Sequence, residues 1–226
     1  MEIIQGKITE YDERRQGFTI FAPYANIDRM TKRQYETVEI GLADGRLIIP
    51  EQRMKAHALM NEISEWMGEV PAYVKRLFKL KFITEQLEGL QKQIFSLANC
   101  DVTTAREFIS YLIDFILEHE IPVKVPLRSL CDDIEKYMYS CLMHKRCANC
   151  GIKAELHHFD SIGMGSDRTE VYQIGMPVIP LCRICHSIAH QKGRNILTDD
   201  WHLIPLPLTV EIGKKYGLNK KNLGIK

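Results

Sequence analysis

Two cysteine pairs and four histidines crowd one region of the sequence. Cys147-x-x-Cys150 and Cys182-x-x-Cys185 form two knuckles, and two such pairs joined by a connecting segment are a common way for four thiolates to enclose one tetrahedral Zn²⁺. Four thiolates saturate the ion, so this zinc is expected to be structural, adding folding free energy and leaving no position open for substrate. The histidines are then available for other work. His157 and His158 are adjacent, whereas His186 and His190 stand four apart. On a helix, positions i and i+4 project from one face about 6 Å apart, so His186 and His190 can hold one ion together. Adjacent strand residues point to opposite faces, which gives His157 and His158 a reason to differ in role. A hydrolytic metal centre needs an ion with open positions and a neutral imidazole near pH 7 that takes a proton from water. Three histidine ligands and a fourth histidine make that set. The competing reading is that all four are zinc ligands or ordinary surface groups.

These residues need elements to position them. Strand-like ELHHFD carries His157 and His158, and PLCRICHSIAH carries the second knuckle into a helix with His186 and His190. Upstream, Pro122 to Pro126 in IPVKVP reads as a linker, after which Ser129 can cap a helix bearing Ile134, Tyr137, Met138, Cys141 and Leu142 on one side. A domain boundary is expected there, giving units 1–125 and 126–226. In the first unit, EIIQGKITEY, GFTIF and ETVEI alternate as strands, and Asp44-Gly45 is a hairpin signal. From Pro50 the period becomes helical, with Met54, Ala58, Leu59, Ile63 and Trp66 forming a stripe expected to pack on the small antiparallel sheet and Gly68 closing the helix. A second helix, PAYVKRLFKLKF, mixes an apolar side with Lys75, Arg76, Lys79 and Lys81. In a third, Thr104 and Glu107 read as a capping box ahead of Phe108, Ile109, Leu112, Phe115 and Ile116. The fold class is α+β. The Lys-containing C-terminal stretch reads as a flexible, solvated tail.

With 226 residues, 45% of them hydrophobic, the chain can bury one large core or two small ones. Lys+Arg 30 against Asp+Glu 29 leaves a net charge of +1, so any basic surface for nucleic acid must be local. No apolar run reaches the roughly 18–20 residues of a membrane helix, and MEIIQGKITE lacks the features of a secretory signal. Seven cysteines, three outside the knuckles, argue against a secreted disulfide framework. A cytoplasmic protein without a membrane association is expected.

The run ELHHFD followed by PLCRICHSIAH resembles the HNH (ββα-metal) endonuclease motif in its zinc-stapled form. More closely, HHFDSIGMGSDRTE with LCRICHSIAHQKG is similar to the HNHc nucleases encoded by temperate phages of Gram-positive bacteria, over about Cys147 to Gly193. The resemblance implies a C-terminal ββα-metal domain with a bacterial host cytoplasm as its setting. It implies His158 as general base, and His157, His186 and His190 as ligands of a catalytic divalent ion (Mg²⁺, Mn²⁺, Ni²⁺ or Zn²⁺). DNA phosphodiester hydrolysis, leaving 5′-phosphate and 3′-hydroxyl ends, follows from the same resemblance. One position departs from the motif: its Asn would fall near Pro177, so the loop between the strands must be held otherwise. Arg168 can clamp a phosphate or pair with Asp167 or Glu170.

The N-terminal unit resembles the NinB/Orf recombination-mediator family of lambda-like phages, through PEQRMKAHALMNEISEWMG and FSLANCDVTTAREFISYLIDFILEHEI, roughly Arg46 to Ile121. This resemblance implies binding of single-stranded or branched DNA, a homodimer, and work beside single-strand-binding protein and a recombinase. The residues that could meet phosphates are Gln52, Arg53, Lys55, Lys75, Arg76, Lys79 and Lys81. A non-catalytic, zinc-containing recombination mediator is the second reading.

Overall fold

The computed structural model describes residues 7–23, 31–32, 46–85, 95–160, 170–193 and 195–225. The expected ETVEI strand, the Asp44-Gly45 hairpin and Arg168 lie outside the described residues. The chain is mixed α and β, and its described residues form two antiparallel sheets with helices between and after them.

Strands β1 (Lys7–Asp12) and β2 (Gly17–Phe21) form an antiparallel hairpin with a register shift between Ile8 and Glu10. Its turn is held by the Asp12 carboxylate, which accepts from the backbone N–H groups of Arg14 and Arg15. The hairpin is mostly exposed, Tyr11 at 72% and Phe21 at 65%, so it does not supply the surface on which the first helix was expected to pack. Helix α1 (Pro50–Met67) instead buries Ala56, Leu59, Met60 and Ile63 against α3 (Val102–Glu118) and α2 (Pro71–Glu85). Met54, Ala58 and Trp66, assigned to the buried stripe by spacing, are exposed. The buried face is rotated because α1 packs on helices, and Gln52 belongs to it: its Oε1 accepts from Ile49 N–H and its amide donates to Val102 O. Gly68 ends α1 in the left-handed conformation, φ 67°, donating to the Glu65 carbonyl.

Phe82, Phe95, Phe108, Tyr111, Phe78 and Phe115 form a linked series of edge-on and tilted rings between α2 and α3. The cap of α3 is Asp101, whose carboxylate accepts from the Thr104 N–H and hydroxyl, rather than the Thr104–Glu107 box. Burial acts to raise the Asp101 carboxyl, but these hydrogen bonds hold it below its ordinary value.

Helix α4 (Ile134–Met143) is capped by Asp133, not Ser129, which lies in a 3₁₀ turn (Leu127–Ser129) and donates to Pro126 O. Asp114 on α3 meets His144 Nε2 at 2.9 Å, tying α3 to the end of α4. One apolar cluster runs through all of these helices. It starts at Ile48, continues through Leu127, Tyr137 and Met138, and reaches Cys147, Cys182, Ala189 and Leu203. The core under the N-terminal helices is therefore continuous with the packing around the cysteine knuckles.

After α4 the chain forms β3 (Glu155–His158), β4 (Pro177–Leu181), α5 (Arg183–Lys192) and β5 (Leu206–Pro207), with antiparallel sheet order β3-β4-β5. A π-helical turn, Ile196–Asp200, follows α5. The C-terminal stretch is folded rather than a loose tail. Helices α6 (Val210–Lys215) and α7 (Lys220–Leu223) are capped by the Thr209 and Asn219 side chains, and Ile212, Asn222 and Leu223 are buried. The lysines favour solvent, but the apolar residues between them decide the outcome. Among the described residues no helix is long and apolar enough to cross a membrane.

Candidate metal centre and catalytic cleft

The first knuckle leaves α4 through a tight turn in which Gly151, φ 76°, donates to Cys147 O and Cys147 donates to Ile152 O. Tyr137 anchors it by donating its hydroxyl to Ala148 O at 2.7 Å. The second knuckle is the start of α5: Cys182 is the N-cap residue, and its Sγ accepts from Cys185 N–H. Strand β4 delivers Cys182 opposite the first knuckle, where Ala148 N–H meets Pro180 O. The Sγ atoms of Cys147, Cys150, Cys182 and Cys185 all lie within 4.8 Å of one another. Cys150 and Cys182 are 3.6 Å apart, and Cys150 and Cys185 3.9 Å. Zn–S bonds of 2.3 Å place tetrahedral sulfurs about 3.8 Å apart, so the four residues can hold zinc.

Burial and the neighbouring thiols push the Cys150 thiol up strongly, and burial raises Cys185 to about 11. Burial acts to raise Cys182 too, but hydrogen bonds from the Cys185 backbone and the surrounding thiols hold it below its ordinary value. Several thiolates this close need positive charge among them.

On the other side of α5 a second cluster forms. His157 comes from β3 and is 7% exposed, while His186 and His190 come from successive turns of α5. One ring nitrogen from each lies within 4.8 Å of the others. The Nε2 atoms of His186 and His190 are 3.0 Å apart, and His157 stands edge-on to both rings. Metal–nitrogen bonds of 2.0–2.1 Å separate neighbouring ligand nitrogens by about 2.9–3.4 Å, so the three imidazoles fit a divalent ion. With its Nε2 in the cluster, His186 turns Nδ1 toward the Glu155 carboxylate, 3.9 Å away. Glu155 was not singled out from the sequence. Its place two residues before His157, on the same face of a strand, is the signal that could have found it.

His158 lies outside that three-nitrogen cluster. Its ring lines a cleft of about 240 Å³ together with His157, Phe159, Ala189, His190, Gly193 and Leu197. Its Nε2 is 3.0 Å from Oε1 of Gln173, a residue that is 3% exposed. Gln173 had no signal in the sequence, because its contact joins segments that only the fold brings together.

The basic residues of the N-terminal helices divide. Arg53 donates from Nε to Leu97 O and from Nη2 to Ala98 O, both at 2.8 Å. Lys55 pairs with Asp132 at 2.5 Å, tying α1 to the segment before α4. Lys79 is 8% exposed and donates to Phe95 O, and burial lowers its affinity for a proton. These three cations are engaged within the fold. Lys75 is half-buried and Arg76 exposed. Phe78 and Phe82 are core residues, whereas Tyr73 is exposed.

No curated protein matches the chain, and no solved structure matches it. The model of the family described as "Putative HNHc nuclease" matches residues 23–218, most of the sequence, including both cysteine pairs and the four histidines. The chain therefore belongs to the HNHc nuclease family.

Proposed function

We propose that the chain is a metal-dependent DNA endonuclease whose hydrolytic centre lies between β3 and α5. One observation carries this reading. Three imidazole nitrogens converge within 4.8 Å at the edge of a cleft that His158, outside the cluster, also lines. His157, His186 and His190 would hold the ion. When bound, a divalent metal neutralises charge on a phosphate oxygen and on the departing 3′ oxygen. His158 accepts a proton from a water that attacks phosphorus in line. The P–O3′ bond breaks and the departing 3′ oxygen takes a proton from a solvent water, leaving a 5′-phosphate and a 3′-hydroxyl. The four-cysteine cluster would carry structural zinc and keep the start of α5 fixed against β4. Glu155 would orient His186 through Nδ1.

The resemblance of the N-terminal helices to recombination mediators supports a finer reading: a phage protein in which they engage single-stranded or branched DNA. Arg76 and Lys75 are the better-placed cations for that contact. One such centre cuts one strand per engagement, so clean double-strand cutting would imply a homodimer; the dimer, and work beside single-strand-binding protein and a recombinase, belong to this reading.

The test is nicking of supercoiled, single-stranded and branched DNA by the purified chain with Mg²⁺, Mn²⁺, Ni²⁺ or Zn²⁺. Cleavage is expected in wild type and absent in His158→Ala, because spontaneous phosphodiester hydrolysis is too slow to register. Cleavage that survives in His158→Ala removes it as base. Inertness of the wild type with all four metals removes the nuclease reading and leaves a zinc-containing binding protein.

A further inference from the structure

The family's middle Asn is absent near Pro177, and the structure shows what occupies its neighbourhood. The segment leading into β4 is gripped from two sides. On one side, Gly175 N–H donates to Leu208 O and Leu208 N–H donates to Met176 O. On the other, Gln173 N–H donates to Asn222 O at 2.9 Å, and the Asn222 side-chain amide donates to Val171 O at 2.8 Å. Asn222 is 3% exposed, and its own N–H is held by the Asn219 side-chain carbonyl that caps α7. At the surface Lys221 pairs with Glu170 at 2.6 Å. This clamp fixes the backbone of Gln173, whose buried side chain reaches His158.

A glutamine carbonyl oxygen only accepts hydrogen bonds. With Gln173 Oε1 as the acceptor at this contact, His158 Nε2 carries the proton, and in the neutral imidazole the lone pair then belongs to Nδ1. We infer that Gln173 is a positioning residue that sets the ring orientation and tautomer of His158, and that α7, through Asn222, holds Gln173 in place. Resting on the nuclease reading above, this assigns to the C-terminal helix the restraint that a motif Asn would otherwise supply from between the strands. Two buried amides from distant parts of the chain replace one local one.

Three variants and two readouts test it. Gln173→Ala should lower kcat about 10- to 100-fold, since general-base catalysis contributes about 10²–10⁴ and a displaced base loses part of it. KM should change by no more than about two-fold, because substrate binding is not removed. Gln173→Glu, which keeps an acceptor oxygen at the same reach, should restore most of that kcat. Asn222→Ala should lower kcat in the same direction with zinc content unchanged. Should it fail to fold, the Gln173 pair decides the matter alone. Independently, ¹⁵N-histidine NMR of the Zn²⁺-loaded chain should show a slowly exchanging imidazole Nε2–H that disappears in both His158→Ala and Gln173→Ala, while the Nε2–H that His144 directs at Asp114 persists in both. A proton on Nδ1 of His158, or a wild-type kcat in Gln173→Ala, overturns the inference while leaving the nuclease reading standing. A wild type that cleaves nothing removes the catalytic role, and the NMR signal then still decides whether the hydrogen bond exists.

Discussion

Replacing Cys182 by serine separates two roles that one sulfur performs in this fold. Cys182 Sγ belongs to the four-thiolate cluster and also caps α5, accepting from Cys185 N–H. Serine is among the best helix caps, so Cys182→Ser keeps the cap and removes only the soft ligand. Structural zinc sites bind with about 10–16 kcal/mol, which divided over four thiolates is about 2.5–4 kcal/mol for this one. A chain of this size changes Tm by about 2–4 °C per kcal/mol, giving a fall of about 5–16 °C. That is a large share of a total stability of about 5–15 kcal/mol. Zinc content after dialysis against a weak chelator, measured by mass spectrometry, should drop from one tightly held ion per chain to well below one. Cys100→Ser, a buried thiol outside the cluster, is the control and should keep its zinc. Full zinc with an unchanged Tm in Cys182→Ser would refute the four-thiolate site. Zinc loss should also reduce DNA cleavage, because α5 begins at the knuckle and carries His186 and His190.

Other expectations follow from the same structure. Asp101→Ala should cost about 1 kcal/mol at neutral pH through loss of the α3 cap, read by urea denaturation. Because the folded Asp101 carboxyl sits below its unfolded value, 3.8, that stability is fully present above 3.8 and disappears as pH falls through the lower folded value; the gap between variant and wild type should close there. Arg53→Ala should lower stability by about 1–3 kcal/mol, as two charge-assisted hydrogen bonds to Leu97 and Ala98 are lost. The slope of DNA affinity against salt should not change in Arg53→Ala, whereas Arg76→Ala should make it shallower by about one counterion without altering Tm. Phe82→Ala should cost about 3–5 kcal/mol by opening a cavity among Phe95, Phe108 and Tyr111, with zinc content unaffected.

The residues of the candidate site were legible in the sequence, because metal ligands advertise themselves by type and spacing: Cys-x-x-Cys twice, and His186 with His190 one helical turn apart. The ββα order around them was legible too. What the sequence did not reveal depends on tertiary partners. Spacing put Met54 and Trp66 on the buried face of α1, but that face is chosen by α2 and α3. Charge suggested that Arg53, Lys55 and Lys79 face solvent, yet their hydrogen bonds to Leu97, Asp132 and Phe95 span chain separations that no local pattern encodes. Caps behaved similarly. Asp101 caps α3 three residues ahead of the expected Thr104, which donates its hydroxyl to that cap, and Asp133 caps α4 four residues beyond the expected Ser129, which bonds Pro126 instead. Gln173 and Asn222 are the extreme case, invisible until β4, β5 and α7 are assembled.

The grip of residues 219–224 on the segment before β4 has a consequence for the order of events during synthesis. Those residues are made after both knuckles, the three clustered imidazoles and the strand that carries His158. The cysteines and imidazoles that cluster are therefore all in the chain before the residues that clamp Gln173. The bonds from Gln173 N–H to Asn222 O and from the Asn222 amide to Val171 O are among the last that the growing chain can make.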